Sequence, residues 1–359
     1  MSDLLNYPSS ANLIGIMIRS RKIFSSSLNK RLNLVISRAY AIEVPRSSTP
    51  LKVFNRHVKV LQRERAANNK DQSRQVDYLK DEVALRLDIK RQFSHILDFG
   101  ANSCNIARAL TQKNPYSQPG DTLLSTKISR ITAAESSGGI LYRDVDLPFN
   151  KEIELRREII DEENLPYDCN TFDAVLSSMS MHWINELPTV LSQINRILKP
   201  DAPFLAAMLG GDTLYELRTS LQLADQERRG GVTPHVSPLA DVKDMGGLLQ
   251  KAGFKMLTVD VDDIIVDFPD TFSLMQDLQA MGENNAIIGR ETSGIKRDVL
   301  LANEGIYREF YGNEDGTIPA TFRFIYMIGW KEGPNQAQPL PRGSADINIT
   351  DILGGGSVG

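Results

Sequence analysis

His95-Ile96-Leu97-Asp98-Phe99-Gly100 is a short apolar run ending in an acid and a glycine, and the residues after it, through Ile106, Ala109 and Leu110, have helical spacing. The segment therefore reads as strand, turn and helix. Working outward, the alternation repeats. A second strand is predicted at Ile128 to Ala134, ending at Glu135, and a third near Leu155 to Ile160, ending at Asp161. A fourth is Phe172-Asp173-Ala174-Val175-Leu176-Ser177. Leu187, Val190, Leu191, Ile194, Ile197 and Leu198 mark one face of a helix, which Lys199-Pro200-Asp201 stops before a fifth strand at Pro203 to Leu209. Strands alternating with helices imply a parallel sheet with helices on both faces.

Upstream, Phe54 to Asn69 and Val76 to Arg91 read as helices, with Val76, Leu79, Val83 and Leu87 on one face. Downstream, a helix follows Gly210-Gly211 to about Glu227, and another is read at Leu248 to Ala252 before Gly253. Phe254 to Asp267 and Thr321 to Trp330 read as closing strands. Between them lies a helical insertion, Thr271 to Gly282 and Arg297 to Tyr311, expected over the top of the sheet.

With 359 residues, 41% of them apolar, the chain can bury a substantial core. A formal charge of −4 offers no broad positive field for nucleic acid. Cys104 and Cys169 stand in no metal-ligand spacing, which suits a reducing compartment. Between Met1 and Val44, Arg19, Arg21, Lys22, Lys30, Arg31 and Arg38 face only Asp3 and Glu43, and serines recur. That composition is a mitochondrial transit peptide's, with the mature chain expected to begin near Ala41 or Ile42. A basic arm is the alternative.

Ligands of open α/β sheets bind beyond the carboxyl ends of the strands. A nucleoside ligand needs a tight glycine turn after the first strand, an acid after the second for ribose hydroxyls and an acid after the third for an adenine amino group. Asp98-Phe99-Gly100, Glu135 and Asp161-Glu162 stand at those places, and Ser177 ends the fourth strand. After Gly100, however, Asn102 and Cys104 occupy positions where small residues let a backbone approach a ligand. His182-Trp183 follows the fourth strand, where a histidine can act as base, donor or metal ligand, or merely pack the loop. Asp212, after the fifth strand, is a candidate helix cap, a role that does not exclude its also lining the pocket, and Tyr215 follows it. For non-haem iron, the only defensible set is His182, His235 and Asp212.

Several stretches together resemble a known family, the methyltransferase-like arginine-hydroxylase assembly factors of mitochondrial complex I. They include Phe54-Asn55-Arg56, Gln62-Arg63-Glu64-Arg65-Ala66-Ala67, Leu97-Asp98-Phe99-Gly100, Asp161 to Tyr167 and Ser177 to Trp183. Gly210-Gly211-Asp212-Thr213-Leu214-Tyr215-Glu216-Leu217-Arg218, Asp277 to Glu283, Pro319-Ala320-Thr321 and Tyr326 to Lys331 complete the match. The resemblance implies a class I, Rossmann-like methyltransferase fold: a seven-stranded, mostly parallel sheet with N-terminal helices and a helical insertion before the last strand. The organisation it implies is a leader at 1–41, a helical segment at 52–92, the methyltransferase-like domain at 93–333 with its insertion at about 268–312, and a tail at 334–359.

The resemblance further implies a matrix protein peripheral on the inner membrane, which hydroxylates an arginine of the iron–sulfur subunit nearest quinone. It also implies a small helical cysteine-paired partner protein. His182, Trp183, Asp212 and Tyr215 are the candidate catalytic residues. Asp98, Gly100, Glu135, Asp161, Glu162 and Ser177 are those for S-adenosyl-L-methionine, a cofactor that the departures at Asn102 and Cys104 disfavour. No metal ligands are assigned, and an oxygen-activating metal is left unspecified. A methyltransferase proper and a non-catalytic assembly module are the competing readings.

Overall fold

Each strand read from the sequence is present in the computed structural model, which describes residues 18–20, 52–87, 91–113, 123–290 and 294–336. The strands are β1 Ile18–Ser20, β2 Phe93–Phe99, β3 Ile128–Glu135, β4 Glu154–Ile159, β5 Ala174–Ser178, β6 Pro203–Leu209, β7 Phe254–Phe268 and β8 Ile318–Lys331. The helices are α1 Arg56–Asn68, α2 Lys70–Gln75, α3 Tyr78–Leu85, α4 Asn105–Thr111, α5 Gly138–Leu141, α6 Leu187–Ile197, α7 Tyr215–Arg229, α8 Val242–Lys251, α9 Thr271–Ala280 and α10 Arg297–Tyr311.

Spatial order across the sheet is β1-β7-β8-β6-β5-β2-β3-β4. The strands from β2 to β6 run parallel, and β8 is antiparallel to both β6 and β7. Setting β1 aside, this is the seven-stranded arrangement expected of a class I methyltransferase fold. Backbone pairing of Ile18–Ser20 with β7 adds an eighth, antiparallel edge strand, drawn from the stretch read as the leader. The rest of that leader, and the tail beyond residue 336, lie outside the described residues.

Parallel strands covered on both faces must be apolar on both, and successive side chains point to opposite sides. Ala174 and Leu176 of β5 join the core beneath α3, α4, α7, α9 and α10. Val175 joins the core beneath α6 and α8. α6 buries Leu187, Val190, Leu191, Ile194 and Ile197 along one stripe, as its spacing predicted.

The helix from 76 to 91 is shorter than expected. Val76 closes α2 rather than opening α3, because the chain turns at Val76 and Asp77 before Tyr78. α1 starts at Arg56, where Asn55 caps it by accepting from Val58 N at 3.1 Å. α8 begins six residues before the expected Leu248, capped by Asp241, which accepts from Lys243 N at 3.3 Å.

Ile194 is fully buried between α6 and the sheet. Ile194→Ala is expected to cost about 2–5 kcal/mol of stability, measured by the shift of the urea unfolding midpoint at constant m-value.

Candidate active site

Two compartments form above the carboxyl ends of the strands. The first is the nucleoside cleft anticipated from the strand ends. Gly100 turns the chain with φ +67°, and a Cβ there would lie 2.0 Å from Ser180 Oγ, so only glycine fits. Glu135 and Glu162 are buried at the ends of β3 and β4, whereas the Asp161 side chain is 65% exposed and turns outward.

Between the two buried acids stands Arg63 of α1. Its Nη1 is 2.6 Å from Glu135 Oε1 and 3.2 Å from Glu162 Oε1. Arg56 adds a contact of 2.5 Å to Glu162 Oε2. Burial alone would raise the Glu162 carboxyl, but the charges of Arg63 and Arg56 outweigh it and hold the group below the ordinary glutamate range. Burial prevails at Glu135, which is raised despite Arg63.

Asn102 has φ +50° and lies across the turn, its side-chain amide donating to Gly100 O at 3.2 Å and Ser178 O at 3.1 Å. Cys104, also at positive φ, is wholly buried. As folded, these residues do not fit S-adenosylmethionine: protein donors already take the acids on which a ribose and an adenine would rest. The side-chain oxygens of Asp98 and Ser177 are buried with no hydrogen-bond partner among the described residues.

The second compartment is a cavity of about 300 Å³. Met179, His182 and Trp183 after β5, and Leu209, Thr213, Leu214 and Leu217 at and beyond the end of β6, line its floor; Met275, Leu278, Met281 and Glu283 of the insertion form its roof. The insertion thus lies over the strand ends, as expected. His182 Nε2 is 3.2 Å from Glu283 Oε2, and Trp183 Nε1 donates to the same oxygen at 2.6 Å. His182 Nδ1 has no partner among the described residues.

Two buried lysines fasten the roof. Lys59 Nζ donates to Gly282 O at 3.0 Å and Asn284 O at 2.8 Å, and it stands 3.4 Å from the centroid of the Trp183 ring. Lys80 Nζ donates to Met281 O at 3.0 Å and Asn102 Oδ1 at 3.2 Å, and lies 3.8 Å from Glu283 Oε1. Burial pushes His182 down toward its neutral form, against the pull of Glu283. Burial would raise Glu283, yet His182 and the charges of Lys59 and Lys80 keep it well below the usual carboxylate range, and hence ionised.

Of the candidate catalytic residues, His182 and Trp183 face this cavity, whereas Asp212 and Tyr215 are not among its lining. The Asp212 carboxylate is 65% exposed and pairs with Arg323. It does not cap α7, whose N-cap is Leu214 in a left-handed conformation. Tyr215 is exposed and packs edge-on against Tyr311. The Gly210 motif instead knits β6 to β8: Thr213 Oγ1 donates to Arg323 O at 3.1 Å and accepts from Arg323 N at 3.1 Å.

His235 pairs with Asp225, with Nε2 2.8 Å from Oδ2. Among the described residues no three His, Cys, Asp or Glu side chains are grouped to hold a metal ion, so the set of His182, His235 and Asp212 is not assembled. Sequence inspection missed Arg63, Lys59, Lys80 and Glu283 as site residues. Arg63 and Glu283 were visible only as members of longer motifs.

A seven-stranded order in which, β1 aside, only β8 runs antiparallel, and acids at the ends of β3 and β4, define a protein of the methyltransferase fold. The family model for a methyltransferase domain matches residues 97–206. The chain is 45% identical over 307 residues to the mitochondrial arginine-hydroxylase NDUFAF5 of Danio rerio, covering 84% of this chain and 90% of that protein. It is 44% identical over 316 residues to the Homo sapiens protein of the same name, covering 86% of each. A malonyl-[acyl-carrier protein] O-methyltransferase of Laribacter hongkongensis is 30% identical over 272 residues, covering 73% of this chain and 84% of that one. The chain belongs to the mitochondrial arginine-hydroxylase NDUFAF5 family, and is an enzyme with a methyltransferase fold.

Burial, and secondarily the charge of Glu135, push the Asp98 carboxyl up to about 8, against roughly 3.9 for a free aspartate. The folded state therefore keeps a proton that the unfolded chain releases between those values. Its contribution to stability is full below about pH 4 and is lost as pH rises through about 8. Asp98→Asn, which is neutral throughout, should show a smaller fall in urea midpoint between pH 5 and pH 8.5 than the parent; equal falls would refute the neutral assignment.

Proposed function

We propose that this chain is a complex I assembly factor of the mitochondrial matrix, peripheral on the inner membrane, which hydroxylates an arginine of the iron–sulfur subunit nearest quinone. The observation that carries the proposal is the roofed cavity in which ionised Glu283 faces neutral His182. Family membership supplies the reaction class, and the cavity supplies a place for it. A guanidinium is a planar cation that carboxylates bind well, and Glu283 Oε1 has no hydrogen-bond partner of its own among the described residues. His182 Nδ1, equally unpartnered, is available to accept or deliver a proton. Trp183 and the apolar side chains of Met275, Leu278 and Met281 lower the polarity around the pair. Hydroxylation replaces one C–H bond of the arginine by C–O–H; with molecular oxygen as the oxidant, an external reductant would supply two electrons and the second oxygen atom would leave as water with two protons, while this chain's side chains hold the substrate and handle protons.

The basic leader supports import, with a transit peptide at 1–41 ahead of the helical segment at 52–92 and the methyltransferase-like domain at 93–333. Among the described residues no helix is long and apolar enough to cross a membrane. A small helical cysteine-paired protein is the assembly partner within this proposal.

A second reading, S-adenosylmethionine-dependent methyl transfer, is favoured by the methyltransferase domain and by Gly100, Glu135 and Glu162 at the strand ends. Peptide masses of the iron–sulfur subunit, from cells with and without this gene, separate the readings. An arginine heavier by one oxygen only when the gene is present is expected. A methyl increment would transfer the assignment to the second reading, and no difference would leave a non-catalytic assembly module. His182→Ala is expected to lower the hydroxylated fraction per unit time roughly 100-fold at unchanged protein abundance, read from the same peptides.

A further inference from the structure

We infer that Arg63 is a built-in competitor for the nucleoside cleft: Glu135 and Glu162 can hold either this guanidinium or an adenosyl ligand, but not both. The inference stands independently of the hydroxylase proposal, since it concerns the other compartment.

Glu135 is nearly filled. Its Oε1 accepts from Arg63 Nη1 at 2.6 Å, Ser136 N at 2.9 Å, Ser136 Oγ at 3.1 Å and Ser137 N at 3.2 Å. Its Oε2 accepts from Asn102 N at 3.0 Å. Each carboxylate oxygen has about two lone-pair sites, so Oε1 is more than filled and Oε2 keeps one, too few for two ribose hydroxyls. Glu162 is similarly committed, to Arg56 through one oxygen and to Arg63 and Ser180 through the other. Arg63, Glu135 and Glu162 are each at least 99% buried, which leaves no aqueous room for a ligand to share them.

The closure is a property of α1 as a body, not of one side chain. On the same helix, Glu64 accepts from Gly139 N at 2.9 Å and from Ser137 Oγ at 2.7 Å, covering the first turn of α5. Lys59 ties the helix to the roof of the neighbouring cavity. The departures of the glycine turn have a matching role: Asn102 spends its amide on two carbonyls at the turn and its oxygen on Lys80. A chain whose cleft was shaped for a ligand would leave these groups to it. Here a cationic donor set takes the place of the hydroxyl and amino donors of a nucleoside.

Isothermal titration of the full chain with S-adenosylhomocysteine tests the inference. Arg63→Gln should bind at least tenfold more tightly than the parent, and Asn102→Gly should bind more tightly than the parent by a smaller factor. Arg63→Lys, which keeps the cation, should remain within a few-fold of the parent. Equal affinities for the parent and Arg63→Gln would overturn the competition. Because Arg63→Gln leaves two buried acids facing each other and could fail to fold, hydrogen exchange of the parent gives a second reading. Amides 56–68 should exchange faster wherever millimolar S-adenosylhomocysteine is bound, and absence of binding at that concentration also supports closure. Bound ligand with α1 still fully protected overturns the inference whatever the variants do.

Discussion

The ion pairs from Arg63 to Glu135 and Glu162 are the constraint on which the rest of the site depends. Two carboxylates brought together at the ends of β3 and β4 repel each other, and burial makes each more costly to ionise. The Arg63 guanidinium between them opposes both effects, outweighing burial at Glu162 with the help of Arg56 but not at Glu135, and it can do so only if α1 is seated across the strand ends. Once α1 is there, Lys59 on the same helix is delivered to the backbone of Gly282 and Asn284, and the roof over the second cavity is fixed. The closed cleft and the covered cavity are therefore two consequences of one docking event.

That arrangement separates what the fold inherited from what this chain does with it. The parallel sheet presents turns and helix starts at its carboxyl edge in the usual way, and the acids stand at the expected strand ends. Yet two chemistry-bearing atoms without a partner among the described residues, His182 Nδ1 and Glu283 Oε1, lie in the compartment roofed by the insertion, in addition to the unpartnered Asp98 carboxyl at the end of β2. The hydrogen bond from His182, and after it the buried lysines, keep Glu283 charged, while burial keeps His182 neutral, so the two members of the pair are pushed apart in protonation. A second buried network, in which Arg143 and Arg108 share Asp77 and Asp144, ties the start of α3 and α4 to the segment after α5.

The sheet was legible because burial on both faces writes a continuous apolar signal: β2, β3, β5 and β6 were found within a residue or two of their observed bounds. α6 was legible because its buried stripe recurs at helical spacing. The turns after the strands were legible as positions but not as contents. Glu135 could be placed at a strand end, but no local pattern shows that Arg63, 72 residues away in sequence, would occupy it. Asp212 carried every local mark of a site residue, being acidic, after a strand and in a specific motif. Its outward turn to Arg323 depends on a β8 partner 111 residues on.

By itself, then, the sequence determined the strand and helix succession, the family and the positions where a ligand would be sought, since each follows from local periodicity or an extended match. Only the tertiary structure decided that Arg63 fills the acid pair, that Glu283 rather than Asp212 faces His182, and that Lys59 and Lys80 hold the roof. These are contacts between charged side chains far apart in the chain. Their outcome is set by which groups lose water together when the helices dock, a quantity that no window of neighbouring residues contains.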